Sequence, residues 1–194
     1  MELEDQAQTE RLFAALGEQL ETQGARIELV VIGGSALLAI GLISRPTRDV
    51  DIVALLQAGR LSDPRPLPEA LLAARDRVAR DFGLQEGWLN PGPASLLDFG
   101  LPGGFLERLE SRTYGSALRV HFASRFDQIH FKLYAMADGT AGKHEADLRE
   151  LNPSRDELVA AARWTRTHDP SEPFHEELLK ALTALGVEDA ARDI

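Results

Sequence analysis

Residues 31–53 read VIGGSALLAIGLISRPTRDVDIV, and two parts of that stretch carry groups with a definite chemistry. The first is Gly33-Gly34-Ser35, where an apolar strand ends and a short helix begins. Glycines there let the backbone approach a ligand closely. The N–H groups that open the helix face an anion, and the serine hydroxyl adds one more donor. This is a phosphate cradle of a different kind from the Walker loop, since no Gly-Lys-Ser/Thr is present. The second part is Thr47-Arg48-Asp49-Val50-Asp51-Ile52. In a strand, residues i and i+2 share a face, so Asp49 and Asp51 stand side by side while Val50 and Ile52 turn to the core. Adjacent carboxylates repel unless a cation joins them, and Mg²⁺, hard and oxygen-liganded, is the natural guest. A phosphate cradle beside paired aspartates describes two-metal phosphoryl or nucleotidyl transfer. Taken alone, the glycines could be a tight strand–helix turn and the aspartates a solvated strand edge. Their combination at this gap is what points to chemistry.

The elements that must position these groups are readable from hydrophobic spacing. Residues 8–23 form an amphipathic helix through Leu12, Phe13, Leu16 and Leu20, with Thr9 as its N-cap. Residues 27–32 (IELVVI) are a buried strand and residues 49–53 a second one. Residues 36–41 are a short apolar helix, 59–68 a loop, 69–82 a helix and 105–109 a helical turn. Residues 117–122 (ALRVHF) alternate with period two and read as a strand. From there the pattern is helical: 126–136, 143–151, a helix opened by Ser154 with Glu157 completing a capping box, and 176–185. The expected fold is α+β. A small mixed sheet with flanking helices fills residues 1–123, and a C-terminal helical part, 124–194, packs on it as one unit.

The pattern apolar-Gly-Gly-Ser followed by Asp-apolar-Asp resembles the signature of the DNA polymerase beta superfamily of nucleotidyltransferases, and Arg45-Pro46-Thr47-Arg48 resembles the Arg-x-Thr lead-in of several branches. A second stretch, Ser124 to Leu133 (SRFDQIHFKL), resembles the helix of AbiEii-type, MenA-like nucleotidyltransferase toxins that carries a functional lysine, here Lys132. Residues 143–151 (KHEADLREL) resemble their Lys-Asp-x-x-Asp-Leu segment, with Asp147 at the second aspartate and His144 in place of the first. The resemblance implies that Asp49 and Asp51 hold Mg²⁺, two ions with the NTP bound. It also implies that Gly33, Gly34, Ser35 and Arg48 bind the nucleotide and that Lys132 neutralises triphosphate charge. Asp147 becomes a third carboxylate, as metal ligand or general base. It implies transfer of an NMP from an NTP, ATP included, to an acceptor hydroxyl on tRNA or protein, by a toxin with a cognate antitoxin. Two other functions share the fold: a non-catalytic nucleotide-binding or antitoxin module, and transfer to a small aminoglycoside-type acceptor. The residues alone leave Lys132 open to being a snorkelling side chain and Asp147 to pairing with Lys143 at i,i+4. His121 and His130 have no partner at zinc spacing and receive no metal role.

Composition narrows the classes. The 194 residues contain no cysteine, which removes disulfide scaffolds, thiolate zinc sites and cysteine nucleophiles. No apolar run reaches membrane-spanning length, and the acidic start Met1-Glu2-Leu3-Glu4-Asp5 is unlike a signal peptide, so the cytoplasm is the expected compartment. A net charge of -10 excludes a uniformly basic nucleic-acid binder. The charge is uneven: residues 41–80 hold seven arginines, whereas residues 169–194 hold seven acids and two bases. The arginines are either a patch for phosphates or an RNA end, or a set of solvated surface groups.

Overall fold

A computed structural model of the protein describes residues 3–139 and 141–194. The fold is α+β, and it divides into two compact units, the first running to Leu101 and including Phe105–Ala123, the second comprising Pro102–Gly104 and Ser124–Ile194. The first unit runs α1 (Gln6–Thr22), β1 (Ile27–Ile32), α2 (Gly33–Ala39), β2 (Val50–Gln57), β3 (Arg60–Ser62), α3 (Glu69–Phe82), β4 (Leu89–Asn90), α4 (Leu96–Phe99), β5 (Glu110–Tyr114) and β6 (Leu118–Phe122). Among the described residues its strands form one six-stranded mixed sheet in the order β3-β2-β1-β6-β5, with β4 paired to β2. The parallel pair β1–β6 lies at its centre, flanked by antiparallel β2 and β5.

One face of the sheet is the core. Leu29, Val31, Ile52, Val120 and Phe122 are fully buried there. Phe13 of α1 lies 5.3 Å from the Tyr114 ring and 5.8 Å from the Phe122 ring, centroid to centroid. A fully buried phenylalanine contributes about 1.5–3 kcal/mol through its apolar surface. The α1 helix starts earlier than the periodicity predicts. Asp5 is the N-cap, accepting the Gln8 N–H at 2.7 Å, while Thr9 is buried inside the helix with its hydroxyl on the Asp5 carbonyl. Arg112 of β5 donates to Glu10 of α1 and, at 2.8 Å, to the Ala39 carbonyl that ends α2. The short helix after the glycines is thereby tied to both the sheet and α1.

Four strands differ from the sequence reading, one of them the two-residue β4. β2 runs on to Gln57, and β3 occupies part of the expected loop as its hairpin partner. β5, a polar ESRTY edge strand, carries too little apolar alternation to be recognised alone and is stabilised by its antiparallel pairing with β6.

The second unit is helical: α5 (Arg125–Ala137), α6 (Ala141–Leu151), α7 (Arg155–His168), α8 (Glu172–Ala184) and a final 3₁₀ segment, Glu188–Asp193. Ser154 caps α7 in a full capping box with Glu157. α8 opens at Glu172, capped by Ser171, four residues before the apolar stripe suggests. Arg125 joins three of these helices. It donates to the Leu151 and Asn152 carbonyls at the end of α6 and to the Glu157 carboxylate of α7. That guanidinium, with the Ser154 N–H, holds the Glu157 carboxyl below the usual glutamate range. Trp164 packs edge-on against Phe131 and Tyr134 at 5.6 and 6.1 Å. No helix among the described residues is long and apolar enough to cross a membrane.

Candidate functional site

The site in the first unit is built where β1 ends and β2 begins. Antiparallel pairing sets Ile32 opposite Asp51, so the residue after the strand, Gly33, lands beside the aspartate. Gly33 has φ +81, a conformation that L side chains rarely adopt, and a Cβ on it would lie 2.7 Å from Asp51 Oδ2. A Cβ on Gly34 would lie 3.0 Å from Thr47 Oγ1 and 3.2 Å from Arg45 Nη2. The glycine turn is therefore in direct apposition with the segment that leads into the aspartates. Ser35 follows as a fully buried residue of α2, and its hydroxyl has no hydrogen-bond partner within the protein. A buried hydroxyl left without a partner costs about 1–3 kcal/mol.

The approach to Asp49 is held from both sides. Leu3 and Thr47 form an isolated antiparallel bridge through both backbone hydrogen bonds, and the Val50 N–H donates to the Trp88 carbonyl at 2.6 Å. Trp88 is itself buried, its indole donating to the Arg75 carbonyl. Asp49 lies one residue before β2, outside the strand predicted to start with it, yet Asp49 and Asp51 are both half-buried while Val50 and Ile52 are fully enclosed. Arg48 is exposed just before them.

Asn90 is a neighbour that sequence reading missed. β4 pairs in parallel with the start of β2, Asp51 opposite Asn90. The Asn90 amide nitrogen lies 3.4 Å from Asp51 Oδ1, and its oxygen accepts the Gly92 N–H at 2.8 Å. A two-residue strand has no periodicity to find, and Asn90-Pro91-Gly92-Pro93 reads as a turn.

Two of the candidate residues meet in the second unit. Lys132 on α5 and Asp147 on α6 form an ion pair at 2.8 Å, with side chains 4% and 0% exposed. Lys132 is thus enclosed, with its ammonium group on Asp147 and not snorkelling to solvent. Asp147 pairs across the helices, while Lys143 is exposed. His144 is half-buried one turn before Asp147. Among the described residues no group of three His, Asp or Glu side chains is placed to hold a metal ion. Within the arginine cluster, Arg65 pairs with Asp63 and Asp98, and Arg75 with Asp76. The guanidinium of Arg65 pulls the Asp63 carboxyl down to about 2.

A family model described as "Nucleotidyltransferase of unknown function (DUF6036)" matches residues 9–150. The chain belongs to this nucleotidyltransferase family. No curated protein matches it, and no solved structure does. The matched span takes in Gly33-Gly34-Ser35, Asp49, Asp51, Lys132 and Asp147, and the family gives the chain a general nucleotidyl-transfer role.

Proposed function

We propose that this nucleotidyltransferase moves an NMP from an NTP to an acceptor hydroxyl in a Mg²⁺-dependent reaction. The proposed acceptor is tRNA or protein, and the proposed biological role is that of an AbiEii/MenA-like toxin with a cognate antitoxin. The observation that carries the chemistry is the apposition of Gly33 and Asp51, where a Cβ would lie 2.7 Å from the carboxylate. It sets a turn suited to an anion directly beside a carboxylate suited to a cation. Hard carboxylate oxygens suit Mg²⁺, and the partnerless Ser35 hydroxyl suits a phosphate oxygen.

Asp49 and Asp51 would hold the metal, which when bound supplies neutralisation of the triphosphate and of the charge that develops as pyrophosphate leaves. The Gly33 and Gly34 backbone would admit the phosphates, and Ser35 would donate to one of them. Arg45 and Arg48 bring positive charge to the same edge. Asp147 already neutralises Lys132, so this reading gives that pair the work of bracing α5 on α6 and asks no third carboxylate of α6. The test is transfer from each labelled NTP, with Mg²⁺, to total tRNA or a protein extract. Transfer lost in Asp49→Ala/Asp51→Ala is the expected result. No transfer with any pair, and nucleotide binding unchanged in that variant, would refute it.

A further inference from the structure

The sheet face that carries Asp51 also carries a hydroxyl–imidazole–carboxylate relay. Ser111 on β5 stands directly opposite His121 on β6, and Val30 on β1 is paired with His121. Ile32, Val30 and Glu28 alternate onto this face, and Ile32 is the partner of Asp51. Ser111 Oγ lies 2.7 Å from His121 Nδ1, and His121 Nε2 lies 2.8 Å from Glu28 Oε2. In the tautomer whose Nε2–H donates to Glu28, Nδ1 is the acceptor of the serine hydroxyl. The imidazole is enclosed, its side chain 7% exposed, whereas Ser111 is exposed on the terminal strand of the sheet. A hydroxyl set on a shielded base, with that base oriented by a carboxylate, is the arrangement that makes a serine oxygen nucleophilic. The function proposed above consumes a nucleophilic hydroxyl.

We infer that Ser111 is itself an acceptor, taking an NMP from an NTP bound to a second copy of this chain. The inference rests on the nucleotidyltransferase reading above. Transfer within one copy is excluded by the strand order: β2 and β5 are separated by β1 and β6, three strand spacings or roughly 14 Å, whereas in-line attack needs about 3–3.5 Å. In the step, Ser111 Oγ bonds to the α-phosphorus as the bond from that phosphorus to the β-phosphate bridging oxygen breaks. Pyrophosphate leaves with that electron pair, and the hydroxyl proton passes to His121 Nδ1. The product is a serine phosphodiester, with no oxidant or reductant required.

The full chain is incubated with Mg²⁺ and each α-labelled NTP, and labelled peptides are located by mass spectrometry. Label is expected on Ser111, with a rate per molecule that rises with protein concentration. Ser111→Ala should abolish it, Ser111→Thr retain it, and His121→Gln and Glu28→Gln slow it by about a hundredfold and tenfold respectively. In a mixture, Asp49→Ala/Asp51→Ala, which keeps Ser111, should be labelled by Ser111→Ala, which keeps the aspartates. Urea unfolding of each variant separates lost labelling from lost folding, and Ser111→Thr reports on the hydroxyl if Ser111→Ala does not fold. Transfer to tRNA or release of NMP with Ser111 unlabelled would overturn the acceptor and leave the parent reading standing. Labelling unchanged in Ser111→Ala, or a rate per molecule independent of concentration, would overturn it equally. Absence of every form of NTP conversion would overturn both.

Discussion

Replacing Lys132 by methionine tests what the buried pair does. The substitution keeps an unbranched side chain of similar length and removes only the charged head. Asp147, 0% exposed, is then left without the ammonium group that lies 2.8 Å away. Removing one partner of a buried pair costs about 3–5 kcal/mol, because the surviving charge stays desolvated and loses its counter-ion. Replacing both partners with apolar residues of similar volume is often neutral. Lys132→Met should therefore cost about 3–5 kcal/mol, and Lys132→Met/Asp147→Leu should recover most of it. The assay is urea unfolding followed by Trp164 fluorescence, with Trp88→Phe in every variant so that the background cancels. Trp164 is the suitable reporter because it packs on Phe131, next to Lys132 in α5. A cost under about 1 kcal/mol for the single variant, or a double variant as unstable as the sum of both singles, would refute the pair as a brace.

Gly33→Ala forces a left-handed φ on an L residue, at roughly 1–2 kcal/mol, and drives Asp51 Oδ2 from its position. Stability should fall by that amount in thermal unfolding, while transfer should fall by about a hundredfold, since a displacement near 1 Å at reacting groups costs that much. Ser154→Ala removes the cap of α7 and should cost about 1 kcal/mol in urea unfolding. Glu157 has its folded carboxyl below the unfolded value through Arg125, so its contribution is present above the unfolded range and is lost as pH falls through the folded one. Wild type and Glu157→Gln should accordingly differ in stability at neutral pH and converge in acid, measured by unfolding at a series of pH values. Asn90→Ala should raise the Mg²⁺ concentration needed for half-maximal transfer, read from a metal titration at fixed NTP, by releasing the Asp51 carboxylate from its amide neighbour.

What the chain determines alone is what local geometry determines. The alternation from Val50 onward buries Val50 and Ile52 and leaves Asp51 half-buried between them. The IELVVI run is a strand wherever it is placed, and Ser154 with Glu157 closes a capping box from residues three apart. The type of chemistry is written in those short-range patterns too, because a glycine turn and an i,i+2 carboxylate pair need no distant partner to be recognised. Distant pairing decided the rest. β5 and β3 exist because β6 and β2 supply their hydrogen bonds, and Asn90 reaches Asp51 through a two-residue strand with no pattern of its own. Asp147 chose Lys132, fifteen residues back on another helix, over Lys143 one turn away, since α5 and α6 enclose both charges together and burial makes mutual neutralisation compulsory. Glu28, His121 and Ser111 are scattered in sequence and meet only because three strands lie side by side in a set register.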